Sequence, residues 1–145
     1  IRSLRDQLET GLLQSCPDCR INGGESQRLP NTSNVSFKYL EGESILVLLD
    51  QFGICASTGS ACTAGSAEPS HVLRAMGVAP DWLQGAVRFS LSRFSTEEEV
   101  RYVNEKVPAV VQRLQGLSAL GKLAGQQRGG PLEKPRAASG IGVRG

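Results

Sequence analysis

The sequence lacks the features that would place it in or across a membrane. No stretch of its 145 residues approaches the roughly 18 consecutive apolar residues that a membrane span needs. No basic start is followed by an apolar stretch of the kind that directs secretion. The composition, 39% hydrophobic and 21% charged, is that of an ordinary globular domain. We therefore expect one modest folded domain in the cytoplasm, with no membrane partner.

Cysteine is too scarce for a disulfide-stabilised scaffold. The chain has four cysteines, whereas secreted disulfide scaffolds are short and dense in cysteine. We expect reduced thiols. Each cysteine is then a candidate nucleophile, a candidate metal ligand or a small buried apolar side chain.

The main body of the chain has no excess of basic residues. The net charge is +2, yet residues 121–145 carry five lysines and arginines against one glutamate, so the rest of the chain is net acidic. A nucleic-acid-binding domain usually carries a basic face, so we expect no nucleic-acid partner. The chain begins at Ile1, within a helical pattern, and its only methionine is Met76. Either the start of the protein has been removed or the chain is a piece of a longer one.

The first half of the chain predicts two helices and two strands. Residues 19–22 form a short strand that ends in a turn, and 31–39 form a strand whose inner face carries Val35, Phe37 and Tyr39. The stretch 44–52 is a helix stopped by Gly53, and 54–56 is a short strand in which Cys55 belongs to the core. The apolar stripe of a first helix, ending near Gln14, consists of Ile1, Leu4, Leu8 and Leu12.

The second half predicts a short helix, a strand and a long helix. Pro69 and Gly77 bound a helix over 69–76. In the strand that follows, Val87 and Phe89 alternate with Arg88 on the polar face. Ser95 to Glu98 has capping-box spacing, and an interior proline, Pro108, predicts a kink or break in the last helix. Its apolar stripe comprises Val100, Val103, Val107, Val111 and Leu114.

This order of elements predicts an α+β fold in which helices pack on a small, mainly antiparallel sheet. Residues 1–118 form the domain. Residues 119–145, rich in glycine, proline and basic residues, are expected to be a disordered tail.

One cysteine, Cys62, lies in a run of small side chains at residues 56–71, ASTGSACTAGSAEPSH. Side chains this small cannot fill a packed core. The stretch therefore predicts a mobile loop. A loop with Gly59 and Gly65 on either side of a thiol gives that thiol reach and access, which a sulfur nucleophile needs. The alternative is a small apolar residue in a turn, and spacing alone does not exclude it.

Three stretches together resemble the C-terminal part of NifS/IscS-type cysteine desulfurases, the nitrogen-fixation branch especially. They are RLPNTSNVSF at 28–37, STGSACTAGSAEPSHVLRAMG at 57–77 and VRFSLSRFSTEEEV at 87–100. The resemblance covers most of residues 1–118. It implies the small C-terminal domain of a fold-type I, class V aminotransferase, a homodimeric transferase that uses pyridoxal 5'-phosphate.

The resemblance also implies roles for two residues. Cys62 matches the catalytic cysteine, which takes sulfur from L-cysteine as a persulfide, leaves L-alanine, and passes the sulfur to an iron–sulfur scaffold or another acceptor protein. Arg88 matches the arginine that binds the substrate carboxylate, a task for which a planar guanidinium fork is suited. Without the resemblance, Arg88 would be read as a solvent-facing residue. Arg93 is interpreted as structural.

One departure from the family pattern concerns the cofactor. The family binds pyridoxal phosphate through a lysine that follows a histidine, and none of the four lysines here does so. The single histidine, His71, follows the cysteine loop and is expected on the surface of a helix's first turn, although its pKa near neutrality would also suit a general base. We therefore expect the cofactor to be bound mainly by a domain absent from this chain, and the chain alone to be inactive.

Other functions are weighed against this one. Cys16 and Cys19 form a CxxC motif, but a helix precedes it and a strand follows, the reverse of a thioredoxin-like site. A zinc site that adds Cys55 and Cys62 has irregular spacing, so no metal is expected. A phosphate loop is excluded because no Gly-Lys-Ser/Thr follows the small residues. A noncatalytic sulfur-relay module and a selenocysteine lyase stay open as alternatives.

Overall fold

The computed structural model describes residues 1–58 and 69–127, with side chains through residue 119. Its helices are α1 (Arg2–Ser15), α2 (Gly42–Asp50), α3 (His71–Ala75), α4 (Pro80–Leu83) and α5 (Glu97–Gln127); its strands are β1 (Cys19–Ile21), β2 (Thr32–Phe37) and β3 (Ala86–Ser90). The predicted α+β class is confirmed. No helix in this described part is long and apolar enough to cross a membrane.

The three strands form one antiparallel sheet in the order β1-β2-β3. Val35 of β2 lies opposite Ile21 on one side and Val87 on the other. Val35, Phe37, Val87 and Phe89 are buried, as the alternation predicts. This face packs on the helices, and the opposite face carries the polar side chains.

The main core lies between the apolar face of the sheet and three helices, α1, α2 and α5. Leu12, Ile45 and Val107, one from each helix, are fully buried. Each belongs to a set of apolar residues spaced about one helical turn apart, which places the set on the side of the helix that faces the core. Of the two predicted stripes, the α5 stripe is confirmed, with Val100, Val107 and Val111 buried. Ile1 is the exception in α1: it precedes the helix and is 48% exposed.

Two predictions in the first half of the chain are wrong. Tyr39 lies past the end of β2 with a left-handed φ of 59° and is largely exposed, so it does not extend the inner face of the strand. Residues 54–56 are not a strand, because only the next residue, Ser57, makes a single β-bridge. Cys55 is exposed rather than in the core. Gly53, with a φ of 70°, does follow the end of α2 as predicted.

The second half departs from prediction at helix ends. The short helix α3 begins at His71 rather than Pro69, and α4 was not predicted because four residues are too few to show a period. The capping box is formed by Thr96 and Glu99, one residue later than predicted: the Thr96 amide donates to Glu99 Oε2 (2.9 Å) and the Glu99 amide donates to Thr96 Oγ1 (3.2 Å).

The last helix is continuous where a kink or break was predicted, and its end lies beyond the predicted domain boundary. It runs without a break through Pro108, which lies in its interior. It also continues to Gln127, into the segment that composition assigned to a disordered tail. Residues 128–145 lie outside the described part of the chain, so the expectation for them stays a prediction.

Candidate functional site

Arg88 lies at the centre of β3, on the polar face of the sheet. Its neighbours along the strand, Val87 and Phe89, are buried, whereas Arg88 is exposed. A rigid strand therefore holds the base of this side chain while the guanidinium stays accessible. Within the described residues, no carboxylate forms an ion pair with Arg88. An accessible guanidinium without an acidic partner suits an anion supplied by a ligand.

The backbone of Arg88 has a neighbouring segment on each side. On one side it lies opposite Asn34 of β2 in the register of the sheet. On the other side its amide donates to the Ser57 carbonyl (2.6 Å) and the Ser57 amide donates to the Arg88 carbonyl (3.1 Å). The chain that leads into the small-residue loop thus begins as a bridge to this arginine.

A second contact fixes the beginning of the same loop to α2. The Thr58 hydroxyl donates to Glu43 Oε1 (3.0 Å), one residue after the bridge at Ser57. Beside it, α2 begins at Gly42, whose amide donates to the Gln84 carbonyl (2.8 Å). A Cβ at Gly42 would lie 2.8 Å from the Thr58 methyl, so this close approach requires glycine.

Cys62 lies in residues 59–68, outside the described residues, so its role stays a prediction. Chain length alone limits how far it can lie from the bridge. Four peptide units separate it from Thr58, and a fully extended chain covers at most about 14 Å over that number. The segment that carries the thiol therefore follows closely after Ser57, the residue that is bridged to Arg88.

A buried polar network lies beneath the exposed face near Arg88. The Asn22 Nδ2 donates to Asn34 Oδ1 (2.7 Å) and to Ser36 Oγ (2.7 Å), and Asn22 and Ser36 are buried. The sequence predicted a polar outer face for Ser36, but here that face is buried and hydrogen-bonded. The network fixes the Asn34 side chain, which lies directly across the sheet from Arg88.

The motif at 28–37 is attached to the rest of the fold by charged side chains that sequence reasoning missed. Arg28 donates to both carboxylate oxygens of Glu9 (2.6 and 2.7 Å), and Arg5 donates to the Leu29 carbonyl (3.0 Å). Burial opposes ionisation of Glu9, but the hydrogen bonds from Arg28 and Ser33 and the charges of Arg28 and Arg5 together outweigh it and hold the pKa of this carboxyl below its ordinary value. The sequence did contain an indication of these contacts, because Arg5 and Glu9 are each adjacent in sequence to a residue of the apolar stripe of α1.

This attachment places the first motif beside the third. Asn31 Nδ2 donates to the Leu91 carbonyl (3.3 Å), and the Leu91 amide donates to the Asn31 carbonyl (2.7 Å). Arg93, two residues on, is exposed and stacks on the Phe94 ring, with 4.6 Å between its guanidinium carbon and the ring centroid. The three motifs recognised in the sequence therefore lie together at β3. The first pairs with it through β2, the second is bridged to it at Ser57, and the third includes most of the strand.

The other candidate residues lie elsewhere. His71 is exposed at the start of α3, as predicted. Cys16 and Cys19 are buried between α1 and β1, in the helix-then-strand order that argued against a thioredoxin-like site. Across the described residues, no three metal-ligating side chains come together.

The described lysines do not fit a Schiff base with pyridoxal phosphate. Lys38 lies over the rings of Tyr39 (4.9 Å) and Trp82 (5.6 Å), where its charge is held by aromatic faces. Lys106 pairs with Glu105 at 2.7 Å, and this contact raises the pKa of its amine. An imine-forming lysine instead needs a lowered pKa. Neither residue is preceded by histidine.

The chain is similar to proteins of one family. Residues 1–103 match the family model described as Aminotransferase class-V. The chain is 58% identical over 115 residues to a cysteine desulfurase of Trichormus azollae, covering 79% of this chain and 29% of the relative. It is 48% identical over 135 residues to the cysteine desulfurase NifS of Azotobacter vinelandii, covering 93% and 32% respectively.

Comparison with a solved structure also points to a NifS-like protein. The fold matches a structure titled NIFS-LIKE PROTEIN with a TM-score of 0.65 at 36% identity, over 78% of this chain and 27% of that one. The chain thus spans about three tenths of the length of the relatives that it matches.

Proposed function

The chain belongs to the aminotransferase class-V family, and we propose that it is the C-terminal portion of a pyridoxal-phosphate-dependent cysteine desulfurase. One observation carries the proposal. Arg88, exposed and without an acidic partner among the described residues, is bonded through its backbone to Ser57, where the segment bearing Cys62 begins. The arrangement joins a carboxylate-binding group to a thiol-bearing segment.

In this proposal Arg88 binds the carboxylate of L-cysteine. A guanidinium can donate two parallel hydrogen bonds to the two carboxylate oxygens, which fixes the orientation of the substrate as well as its position. The backbone of Arg88 lies opposite Asn34 on one side and is bonded to Ser57 on the other. The strand thereby fixes the base of the side chain that carries the guanidinium.

Cys62 then accepts the sulfur. The bond between Cβ and sulfur of the substrate breaks, a sulfur–sulfur bond forms on Cys62, and a hydrogen takes the place of sulfur on Cβ. One L-cysteine and one thiol thus yield one L-alanine and one persulfide, with atoms and electrons balanced. Small residues around Cys62 suit a segment that approaches the substrate and afterwards presents the persulfide to an acceptor.

The cofactor, in this proposal, is bound mainly by residues beyond this chain. The described lysines are committed to aromatic rings and to Glu105, and none follows a histidine. The contribution of this chain is therefore the substrate carboxylate site and the sulfur acceptor. We expect the isolated chain to be inactive.

The proposal extends to the partners. The persulfide passes to an iron–sulfur scaffold or another sulfur-acceptor protein, including one that serves nitrogenase, and the complete enzyme is a homodimer in the cytoplasm. The described cysteines, Cys16, Cys19 and Cys55, are free thiols, which agrees with a reducing compartment.

A chimera tests this function directly. The matching C-terminal part of the Trichormus azollae cysteine desulfurase is replaced by this chain, and the product is incubated with L-cysteine. We expect L-alanine to form and a persulfide to be trapped on Cys62, identified by alkylation and peptide mass. The Cys62→Ser chimera should lose the persulfide, whereas the Cys55→Ser chimera, altered at another exposed thiol, should keep it.

The outcome that contradicts the proposal is equally specific. If the Cys62→Ser chimera still carries a protein-bound persulfide and releases alanine at the rate of the parent chimera, Cys62 is not the sulfur acceptor. If the parent chimera binds pyridoxal phosphate but releases no alanine while the intact relative does, this chain does not provide the substrate site.

A further inference from the structure

The CxxC motif is the nucleophilic group that the proposed function leaves unused. Cys16 is the residue that follows α1, and Cys19 is the first residue of β1; they are 3% and 8% exposed. Both are free thiols. Two buried thiols this close in sequence raise the question of whether the fold holds them apart or together.

The backbone holds them together. The Cys19 amide donates to the Cys16 carbonyl (3.2 Å), which closes a β-turn with Pro17 in its second position, where proline is favoured. A β-turn brings its first and fourth Cα atoms within about 7 Å, close to the range of about 4.4 to 6.8 Å that disulfides span. The turn therefore already satisfies the main distance condition for a bridge.

The two thiols also influence each other electrostatically. The proximity of Cys19 lowers the pKa of Cys16 against the opposing effect of burial. The pKa of Cys19 is raised by the proximity of Cys16, by burial and by the charge of Asp18. One thiol of the pair is thus the better nucleophile and the other its protonated partner, as in a dithiol that can close.

Nothing essential in the fold depends on the reduced form. Cys19 Sγ donates a weak hydrogen bond to the Leu12 carbonyl (3.4 Å), and that carbonyl also accepts the Cys16 amide (2.8 Å). Loss of the thiol donor therefore leaves Leu12 with a partner.

We propose that Cys16 and Cys19 form a redox modification site, a dithiol that a small peroxide oxidises to an intramolecular disulfide joining α1 to β1. The Cys16 thiolate attacks the peroxide oxygen and becomes a sulfenic acid, releasing water from hydrogen peroxide. Cys19 then attacks that sulfur and displaces the second water. Two thiols and one peroxide give one disulfide and two waters. The burial of both sulfurs excludes a protein oxidant, so the co-reactant is a small peroxide.

The test is peptide mapping of the complete 145-residue chain after hydrogen peroxide treatment under native conditions. Trypsin should release residues 6–20, which contain both cysteines and no internal lysine or arginine. We expect this peptide to become lighter by two hydrogens and to lose both sites for maleimide labelling, with a dithiol reductant reversing the change. The Cys55→Ser and Cys62→Ser variants should leave this result unchanged, since neither thiol takes part.

Two results overturn the proposal. One is a peptide that stays a dithiol at peroxide doses that oxidise the exposed Cys55 in the same sample. The other is a peptide that gains oxygen as sulfinic acid, or that bridges only after the chain is unfolded in urea. Because the readout uses the unaltered chain, it does not depend on whether a Cys16→Ser variant folds, and it is independent of desulfurase activity.

Discussion

The described part of the chain has two apolar clusters of very different size. The large cluster joins the inner face of the sheet to α1, α2 and α5 and includes the fully buried Leu12, Phe37 and Ile45. The small cluster, beside α3 and α4, has four buried members: Leu73, Val78, Leu83 and Ala86. The large cluster packs against the sheet, whereas the small cluster includes α3, the helix that follows residues 59–68 in the chain.

The difference indicates how each region is held. The large cluster relies on apolar burial, about 25 cal/mol for each Å² removed from water. The region of the small cluster relies more on backbone hydrogen bonds to β2 and its extension: the Phe37 amide donates to the Gly85 carbonyl (3.0 Å) and the Tyr39 amide to the Asp81 carbonyl (2.9 Å). A region with few apolar contacts opens locally at lower cost, so the region of α3 and α4 should be the less stable part of the fold.

The largest effect is expected at Gly85, which joins the two regions. A Cβ there would overlap the Phe37 carbonyl oxygen and lie 3.1 Å from the Leu40 carbonyl oxygen. Both are backbone atoms and cannot move aside alone, so Gly85→Ala must displace the end of β2. We expect a loss of stability on the order of 3 kcal/mol or more, measured by urea unfolding.

Gly11→Ala is the matched control for that substitution. The three atoms nearest to a Cβ at Gly11 all belong to the Asn104 side chain, which can move at the cost of its hydrogen bond to the Gln7 carbonyl. The loss should therefore be clearly smaller than at Gly85. Equal losses at the two glycines would show that the junction at Gly85 is not rigid.

Core truncation should separate the two clusters. Leu12→Ala removes a fully buried side chain from the large cluster and should cost about 2 to 5 kcal/mol of unfolding free energy. Leu83→Ala, in a four-residue helix that can collapse inward, should lie at or below the lower end of that range. Hydrogen exchange provides the sharper comparison: Leu83→Ala should speed exchange only around α3 and α4, and global acceleration would contradict two separate regions.

An effect of intermediate size is expected at the ion pair between Glu9 and Arg28. Glu9→Gln removes a charge that accepts two hydrogen bonds from Arg28 and should cost about 1 to 3 kcal/mol near neutral pH. The folded-state pKa of Glu9 lies below its ordinary value of 4.5, so its stabilisation is complete above that value and is lost as pH falls through the folded pKa. The stabilities of wild type and variant should therefore converge in acid. A gap that stays constant with pH would show that the charge of Glu9 is not responsible.

The smallest effect on stability is expected at Arg88. Arg88→Ala removes an exposed side chain without an ion-pair partner among the described residues, so unfolding should change by no more than about 0.5 kcal/mol. In the chimera the same change should raise KM for L-cysteine, with Arg88→Lys intermediate because an ammonium lacks the planar fork. A large loss of stability with an unchanged KM would make Arg88 structural.

Sequence reasoning performed best where one periodicity covered a whole element. The valine stripe of α5, the stop at Gly53 and the alternation around Arg88 are confirmed, because each depends on local geometry that neighbouring residues decide. It failed where elements are short. Helix α4 and the single bridge at Ser57 are too brief to show a period, and the expected strand that placed Cys55 in the core does not form.

For the candidate site, the residue types and motif order predicted Arg88 on a polar strand face and Cys62 in a loop of small residues. The contacts that surround Arg88 could not be predicted. The bond from Ser57 to Arg88 joins residues 31 positions apart in sequence, and no local pattern indicates which polar residues a folded sheet brings side by side.

The sequence by itself determined the class of fold, the apolar face of each long element and the candidate residues, because side-chain volume, polarity and spacing act locally. Tertiary structure decided which of those residues meet. The burial of Ser36 beneath Asn22, the clamp of Arg28 on Glu9 and the closed turn between Cys16 and Cys19 depend on how elements pack. Packing satisfies hydrogen bonds between residues that are distant or unremarkable in the sequence, and its energy is a property of the assembled core rather than of any one segment.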